Sequence, residues 1–336
     1  MLLTAFTVVN TNDSGEGSLR DAIEAANANA GADTISFDAS LRGRTIVLSD
    51  ELLISDDLTI TGLGAGLLTL DGNGDSRIFN IDDGDVETTI EVSLSGLTLT
   101  HGSADYGGAI YSNESLSIVE STITANKARI QGGGITTTGG KLFVNGSRIT
   151  ANNSYDAGGI YSSSSIVTLT ATTLSHNEAI RFGGAILSFN SKLIVSYSNF
   201  TSNNATYGGG IYSNSNSLTV TTSTFSKNVL WDYGDIRQTG GHGGGLYIIN
   251  SLGLSIGPTT ISDSSFFENS ASCGGGILSS TVDLIVSNTD FSRNKAIDGG
   301  SGAGINAFNS ILIVTASTFS ENVSDGSGGG IFVTYT

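Results

Sequence analysis

The sequence is poor in the residues on which cross-linking and catalysis most often depend. Of 336 residues, one is cysteine, one proline, one tryptophan and three histidine. The single thiol, Cys273, excludes a disulfide within the chain. His101, His176 and His242 are far apart and show no metal-ligand spacing; the first two read as corner residues, His101 standing where a corner Asn would be. No apolar run is long enough to cross a membrane as a helix. Met1-Leu2-Leu3 leads straight into the first structured motif, so no signal peptide is visible. Either a signal was removed, or export uses another route, or the sequence is part of a longer chain. The last residues, Ile331-Phe-Val-Thr-Tyr-Thr, read as the first strand of a coil with no polar cap after it, which favours the last option.

Basic residues are also scarce. Lys plus Arg number 14 against 31 Asp plus Glu, a net charge of −17. Residues 1–105 hold 18 of the acids and 4 of the bases, a net of −14, which leaves −3 for the rest. Such a field argues against nucleic acid and anionic lipid as partners and suits divalent cations or a basic surface.

What is abundant is glycine, 46 residues of it, in a recurring phrase. A glycine-rich phrase ends in Ile110, Ile135, Ile160, Ile186, Ile211, Leu246, Ile277, Ile305 and Ile331. Between these stands a second phrase, an apolar residue then x-x-Asn, ending in Asn126, Asn152, Asn177, Asn203, Asn228, Asn269, Asn294 and Asn322. The distance from the apolar residue to the Asn is 16 or 17 residues in seven of eight cases. A period near 25 residues with two landmarks in fixed phase is the signature of a solenoid.

Within one period, Gly107 to Asn126, three short runs alternate in polarity: Ala109–Ser112, Leu116–Val119 and Thr122–Ala125. Each is too short for a helix and reads as a strand. Three strands per coil predict an all-β, single-stranded right-handed parallel β-helix of about 11 to 13 coils, each strand stacking on its equivalent about 4.8 Å away. Ile123, Ile149, Leu174, Phe200, Phe225, Phe266, Phe291 and Phe319 form one expected interior column, and the Ile110 series forms another. The Asn residues are expected to take a left-handed corner conformation and to hydrogen-bond as a ladder. The paired glycines suit positive φ or close approach to the neighbouring coil.

These Gly-Gly-apolar and Phe-x-x-Asn phrases, over roughly residues 100–336, resemble those of chlamydial polymorphic outer-membrane proteins and related bacterial surface β-helices. The opening stretch from Phe6 to Ile23 resembles the N-terminal cap of secreted bacterial, often cyanobacterial, β-helix proteins. The resemblance implies a right-handed β-helix in a surface or secreted setting, and no single activity.

Residues 18–30 form the one convincing helix, with Ser18 as N-cap, Leu19, Ala22, Ile23 and Ala26 as its apolar face and Gly31 as its stop. It is expected to lid the first coil, as a solenoid end requires. The chain thus divides into a cap with irregular acidic coils (1–105) and regular repeats (106–336) of the same continuous domain.

Function is sought where the rhythm breaks. The step from Asn228 to Leu246 is 18 residues against the usual 8 to 11, and it gathers Trp231, Asp232, Tyr233, Asp235, Arg237 and His242. Tryptophan with acids suits a sugar ring, and two carboxylates suit glycoside cleavage; an ornamental or packing loop is the plainer reading. Asp71, Asn73, Asp75 and Asp82 have the alternation of a calcium loop, yet Ser76 stands where its glycine belongs, and an acidic β-helix corner is the other reading. Tyr111, Tyr161, Tyr212 and Tyr247 mark a face with intermittent aromatics, suited to glycans or a protein surface, or simply to sealing that face. Two rows of hydroxyls flanking the Phe column, from Thr122 and Thr124 onward, could order water as ice-binding β-helices do, though Arg148, Phe267 and Asp290 interrupt them.

The expected function is therefore a structural or adhesive protein at a bacterial surface or in the extracellular matrix, not primarily an enzyme. It would self-associate, through an uncapped C-terminal coil that stacks into filaments, or bind a surface or matrix partner. The alternatives are a carbohydrate-active enzyme or glycan-binding module using residues 229–245, and an ice-binding face. No cofactor is firmly implied, with calcium the one candidate.

Overall fold

The computed structural model describes residues 3–230, 241–254 and 257–335. In the coil from Gly107 to Asn126 the expected strands are present as Ile110–Ser112, Ser115–Val119 and Thr122–Thr124. Their residues alternate in burial, so each strand sends one row inward and one outward. Every strand pairs in parallel with its equivalent one coil away, as Ile123 does with Leu99 and Ile149. The result is three stacked parallel sheets of 12, 11 and 11 strands. We refer to them as the first, second and third sheets, represented by Ser115–Val119, Thr122–Thr124 and Ile110–Ser112. Together they form a right-handed parallel β-solenoid of about 12 turns.

The inward rows make one continuous core. The Ile123-to-Phe291 column is fully buried, as is the Ile110-to-Ile305 column. Phe200, Phe225, Phe266, Phe291 and Phe319 stack with centroid spacings of 4.5, 4.7, 5.1 and 4.8 Å.

Each coil after residue 102 carries a fourth strand just past the ladder Asn, often only two residues long, as in Asn153–Ser154 and Glu178–Ala179. Its inward position holds a small residue, such as Ala128, Ala179, Ala205, Ala271 and Ala296. Two residues cannot show alternation, which is why the period suggests three strands rather than four.

The ladder is built, but its backbone differs from expectation. The left-handed residue is the one before each Asn: Ala125, Ala151, His176, Ser202, Lys227, Glu268, Arg293 and Glu321 all have φ between 54° and 56°. The Asn needs its side chain elsewhere. Its Oδ1 accepts from both the N–H and the Nδ2 of the Asn one coil earlier, and its own Nδ2 donates to the carbonyl of the preceding coil's column residue. All seven Asn–Asn side-chain bonds measure 3.0 Å. His101 (φ 51°) accordingly holds the left-handed place. Gly102 takes the Asn position, its N–H donating to Asn126 Oδ1 at 2.7 Å.

A second ladder runs two residues before the Phe column. Thr172 N–H donates to Ser198 Oγ, Ser198 N–H to Ser223 Oγ and Ser223 N–H to Ser264 Oγ, at 3.1 to 3.2 Å.

The glycine phrase serves both roles expected of it. Gly208 has φ 66° and turns the chain sharply. A Cβ on Gly210 would lie 2.4 Å from the Gly245 carbonyl oxygen, so the coils could not stack.

At the N-terminus the helix Leu19–Asn27 buries Leu19, Ala22, Ile23 and Ala26, and Ser18 Oγ accepts from Asp21 N–H at 3.2 Å. It ends before Gly31, and the Asn27 side chain turns to the first coil, donating to Leu53 O and accepting from Ser55 N–H. The irregular first coils also contain Ala5–Val8, Leu52–Ile54 and Glu91–Ser95.

Candidate functional site

Of the residues in the 229–245 loop, Trp231, Asp232, Tyr233, Asp235 and Arg237 lie outside the described residues. His242 is placed, and it leads to a groove. It sits directly before the positive-φ Gly243, where Gln131, Asp156, Phe182 and Tyr207 sit in earlier coils and Cys273 in the next. Phe182, Tyr207, His242 and Cys273 pair in parallel, one above another.

Because the left-handed residue turns the chain sharply, this column stands beside the outer row of the third sheet: Tyr161, Leu187, Tyr212, Tyr247 and Leu278. Side chains of the two columns meet. Phe182 lies 4.6 Å from Tyr212 and 5.4 Å from Tyr207, Tyr207 lies 6.1 Å from Tyr247, and Tyr212 meets Tyr247 edge-on at 5.1 Å. His242 packs against Tyr207 at 5.9 Å and Tyr247 at 5.8 Å.

The ring cluster divides two cavities along the helix axis. One, of about 300 Å³, is lined by Asp156, Tyr161, Arg181, Phe182, Phe189 and Tyr212 among others. The second, of about 320 Å³, is lined by His242, Tyr247, Leu278, Phe308 and Phe332 with several hydroxyls.

Among the described residues the groove is electrostatically close to neutral. Arg181 grips the buried Asp156 carboxylate with two bonds of 2.9 and 2.6 Å, and its guanidinium lies over Phe182 at 4.5 Å and Tyr155 at 5.1 Å. The bond to Asp156 holds Arg181 above its ordinary pKa. Burial pushes the Tyr212 hydroxyl up to about 12 and raises Tyr247 as well. Burial lowers His242, so the ring is neutral at pH 7. Its Nδ1 is buried and has no hydrogen-bond partner.

The candidate calcium residues do not all converge. Asp71, Asn73 and Asp75 share one turn, where Asp71 accepts from Asn73 N–H at 2.8 Å and faces His101 Nδ1 at 3.0 Å. Asn73 Nδ2 donates to Asp75 at 3.1 Å. Asp82 belongs instead to a corner after the third-sheet strand Phe79–Ile81, where its carboxylate comes within 4.8 Å of those of Asp83 and Glu114. Burial raises the Glu114 pKa, while the Asp85 N–H and Thr88 hydroxyl lower that of Asp83.

The hydroxyl row after the Phe column is not a free face. Ser175 and Ser226 are buried, and neighbours bond each other, Thr150 with Ser175 at 3.0 Å and Ser226 with Thr201 at 2.9 Å.

The last coil matches the Chlamydia polymorphic membrane protein repeat. The match covers residues 316–334, the Phe-x-x-Asn and Gly-Gly-apolar phrases of one coil. No curated protein sequence matches the chain at a significant level. Among solved structures, ORF18 of Geobacillus virus E2 superposes with a TM-score of 0.55 at 11% identity, over 94% of this chain and 62% of that one. The chain therefore spans less than two thirds of the viral protein. The Agl-KA catalytic domain superposes with a TM-score of 0.51 at 13% identity, over 99% of this chain and 68% of that one. At such identities the likeness is one of fold. Among the described residues no helix is long and apolar enough to cross a membrane.

Proposed function

We propose that this chain is a surface or secreted adhesive β-helix that holds an extended glycan along its aromatic groove. The observation that carries the reading is the alignment of two ring-bearing columns on successive coils, with a cavity at either end of the ring cluster. Aromatic faces stack on the C–H faces of sugar rings, and a rigid scaffold holds them without an ordering cost. Equivalent positions recur about every 4.8 Å along the axis, close to the rise of one saccharide unit. The polymorphic membrane protein repeat in the last coil supports a surface setting. Asp156 is committed to Arg181, which favours binding over acid–base chemistry in the described part of the groove.

Affinity electrophoresis through gels containing soluble polysaccharides tests this. Retardation by a neutral polysaccharide should fall about three- to tenfold in Phe182→Ala and again in Tyr207→Ala, the scale of one lost aromatic contact. Retention of full binding in the double variant would remove the groove from the function.

End-to-end association is a second reading. It is favoured by Ile313, Val323, Ile331 and Val333, exposed on the open strand edge of the last coil. Such an edge accepts another strand, from more of the same polypeptide or from a second copy. Sedimentation that stays monomeric at high concentration would dismiss assembly of this chain.

A further inference from the structure

In the cavity of about 300 Å³ at the Tyr161 end of the ring cluster, one charged side chain is only partly used by the protein. Arg181 gives Nε and Nη2 to the Asp156 carboxylate at 2.9 and 2.6 Å, and its Nη1 has no hydrogen-bond partner among the described residues. A guanidinium carries five N–H groups in a planar fork. Asp156 takes two of them along the Nε–Nη2 edge, so the Nη1–Nη2 edge keeps a parallel pair. The Arg181 side chain is 47% exposed and that of Asp156 only 3%, so the open side of this ion pair is its donor side.

The free edge is also held still. Asp156 fixes it by two bonds, and the guanidinium lies over Phe182 at 4.5 Å and Tyr155 at 5.1 Å. An arginine ordered in advance loses little freedom when it meets a ligand. Two parallel donors with no acceptor beside them match two oxygens of one anionic group, a carboxylate or a sulfate.

The surroundings suit a sugar that carries such a group. Tyr161, Phe189 and Tyr212 offer ring surface, and Gln131 offers an amide for hydroxyls. Asp156 is the one acid among the described lining residues, and Arg181 occupies both its oxygens. The total charge of −17 is not the local field. Residues 106–230, which build this end of the groove, hold seven Lys or Arg against four Asp or Glu, a net of +3.

We infer that the cavity beside Arg181 is a subsite for an acidic sugar residue, whose carboxylate or sulfate is gripped by the free Nη1–Nη2 edge. The inference rests on the groove reading above. It adds that the glycan carries acidic residues among those lying on the rings, and it names the side chain that selects them.

The full chain is titrated by calorimetry with oligogalacturonate beside its carboxyl-reduced form, and with a sulfated galacto-oligosaccharide beside its desulfated form. At least one acidic probe should bind about tenfold more tightly than its neutral counterpart, ~1.4 kcal/mol. Which probe does so identifies the group as carboxylate or sulfate. Arg181→Lys keeps a cation for the buried Asp156 but loses the fork, and should bring the acidic and neutral forms level. Equal binding of the two forms by the wild type, or an advantage that survives in Arg181→Lys, overturns the inference and leaves the groove standing. So does failure of both acidic probes to bind where neutral polysaccharides still retard the protein. If Arg181→Lys does not fold, wild-type crystals soaked with the preferred probe decide: an acidic group on Arg181 Nη1 upholds the inference, and one bound elsewhere overturns it. A wild type that binds none of these probes, and is not retarded in the polysaccharide gels either, removes the groove reading and this one together.

Discussion

Asn203→Ala should destabilise the protein by about 3–5 kcal/mol, far more than a polar-to-alanine change usually costs. Asn203 is fully buried and makes four side-chain hydrogen bonds. Its Oδ1 accepts from Asn177 N–H at 3.1 Å and Asn177 Nδ2 at 3.0 Å, while its Nδ2 donates to Leu174 O and Asn228 Oδ1, both at 3.0 Å. Alanine would strand the Asn177 N–H where water cannot reach it and take a donor from the Leu174 carbonyl. Asn203→Asp should be at least as damaging, because its second oxygen would face two acceptors. Stability in a solenoid is roughly a sum over neighbouring coils, so the loss should be local. Urea denaturation gives the total, and amide exchange should show protection lost first around Asn177. A cost below about 1 kcal/mol would mean that the ladder is a by-product of stacking and not a support of it.

Phe225→Ala should cost about 3–5 kcal/mol by a different route. Its ring lies between Phe200 at 4.5 Å and Phe266 at 4.7 Å, nearly parallel to both. The two backbone ladders fix the spacing of the coils, so the space cannot close by drawing neighbours together. Phe225→Leu should cost much less, since Leu174 already fills an equivalent place in the column. Thermal unfolding measures the difference. Partial rescue of the alanine variant by benzene or xenon would show that the void persists; no rescue with a small loss would show that the coils collapse around it.

How much of this was legible depended on whether a position kept one residue type. The Ile and Phe columns and the Asn ladder did, and the structure places them in the roles the period implies. The left-handed position did not, being filled by Ala125, His176, Lys227 and Glu268 alike, so only its place before each Asn marks it. The second ladder was hidden by the abundance of hydroxyls. A signal existed, because Ser121, Ser147, Thr172, Ser198, Ser223 and Ser264 all stand two residues before the column.

The candidate site was half visible. Tyr161, Tyr212 and Tyr247 showed as a stripe, but their facing column runs Gln131, Asp156, Phe182, Tyr207, His242, Cys273, with no common chemistry to reveal it. Only the shared register before a left-handed turn unites them. Asp82 illustrates the opposite error: sequence proximity joined it to Asp71, while the coil carries it to another corner beside Asp83 and Glu114.

A crystal structure of the protein soaked with a neutral hexasaccharide would test the functional reading most directly. Sugar rings should lie along the helix axis between Tyr161 and Phe332, with a ring face on Phe182 or Tyr207. Saccharide bound on another face, with this groove empty and its side chains unmoved, would contradict it.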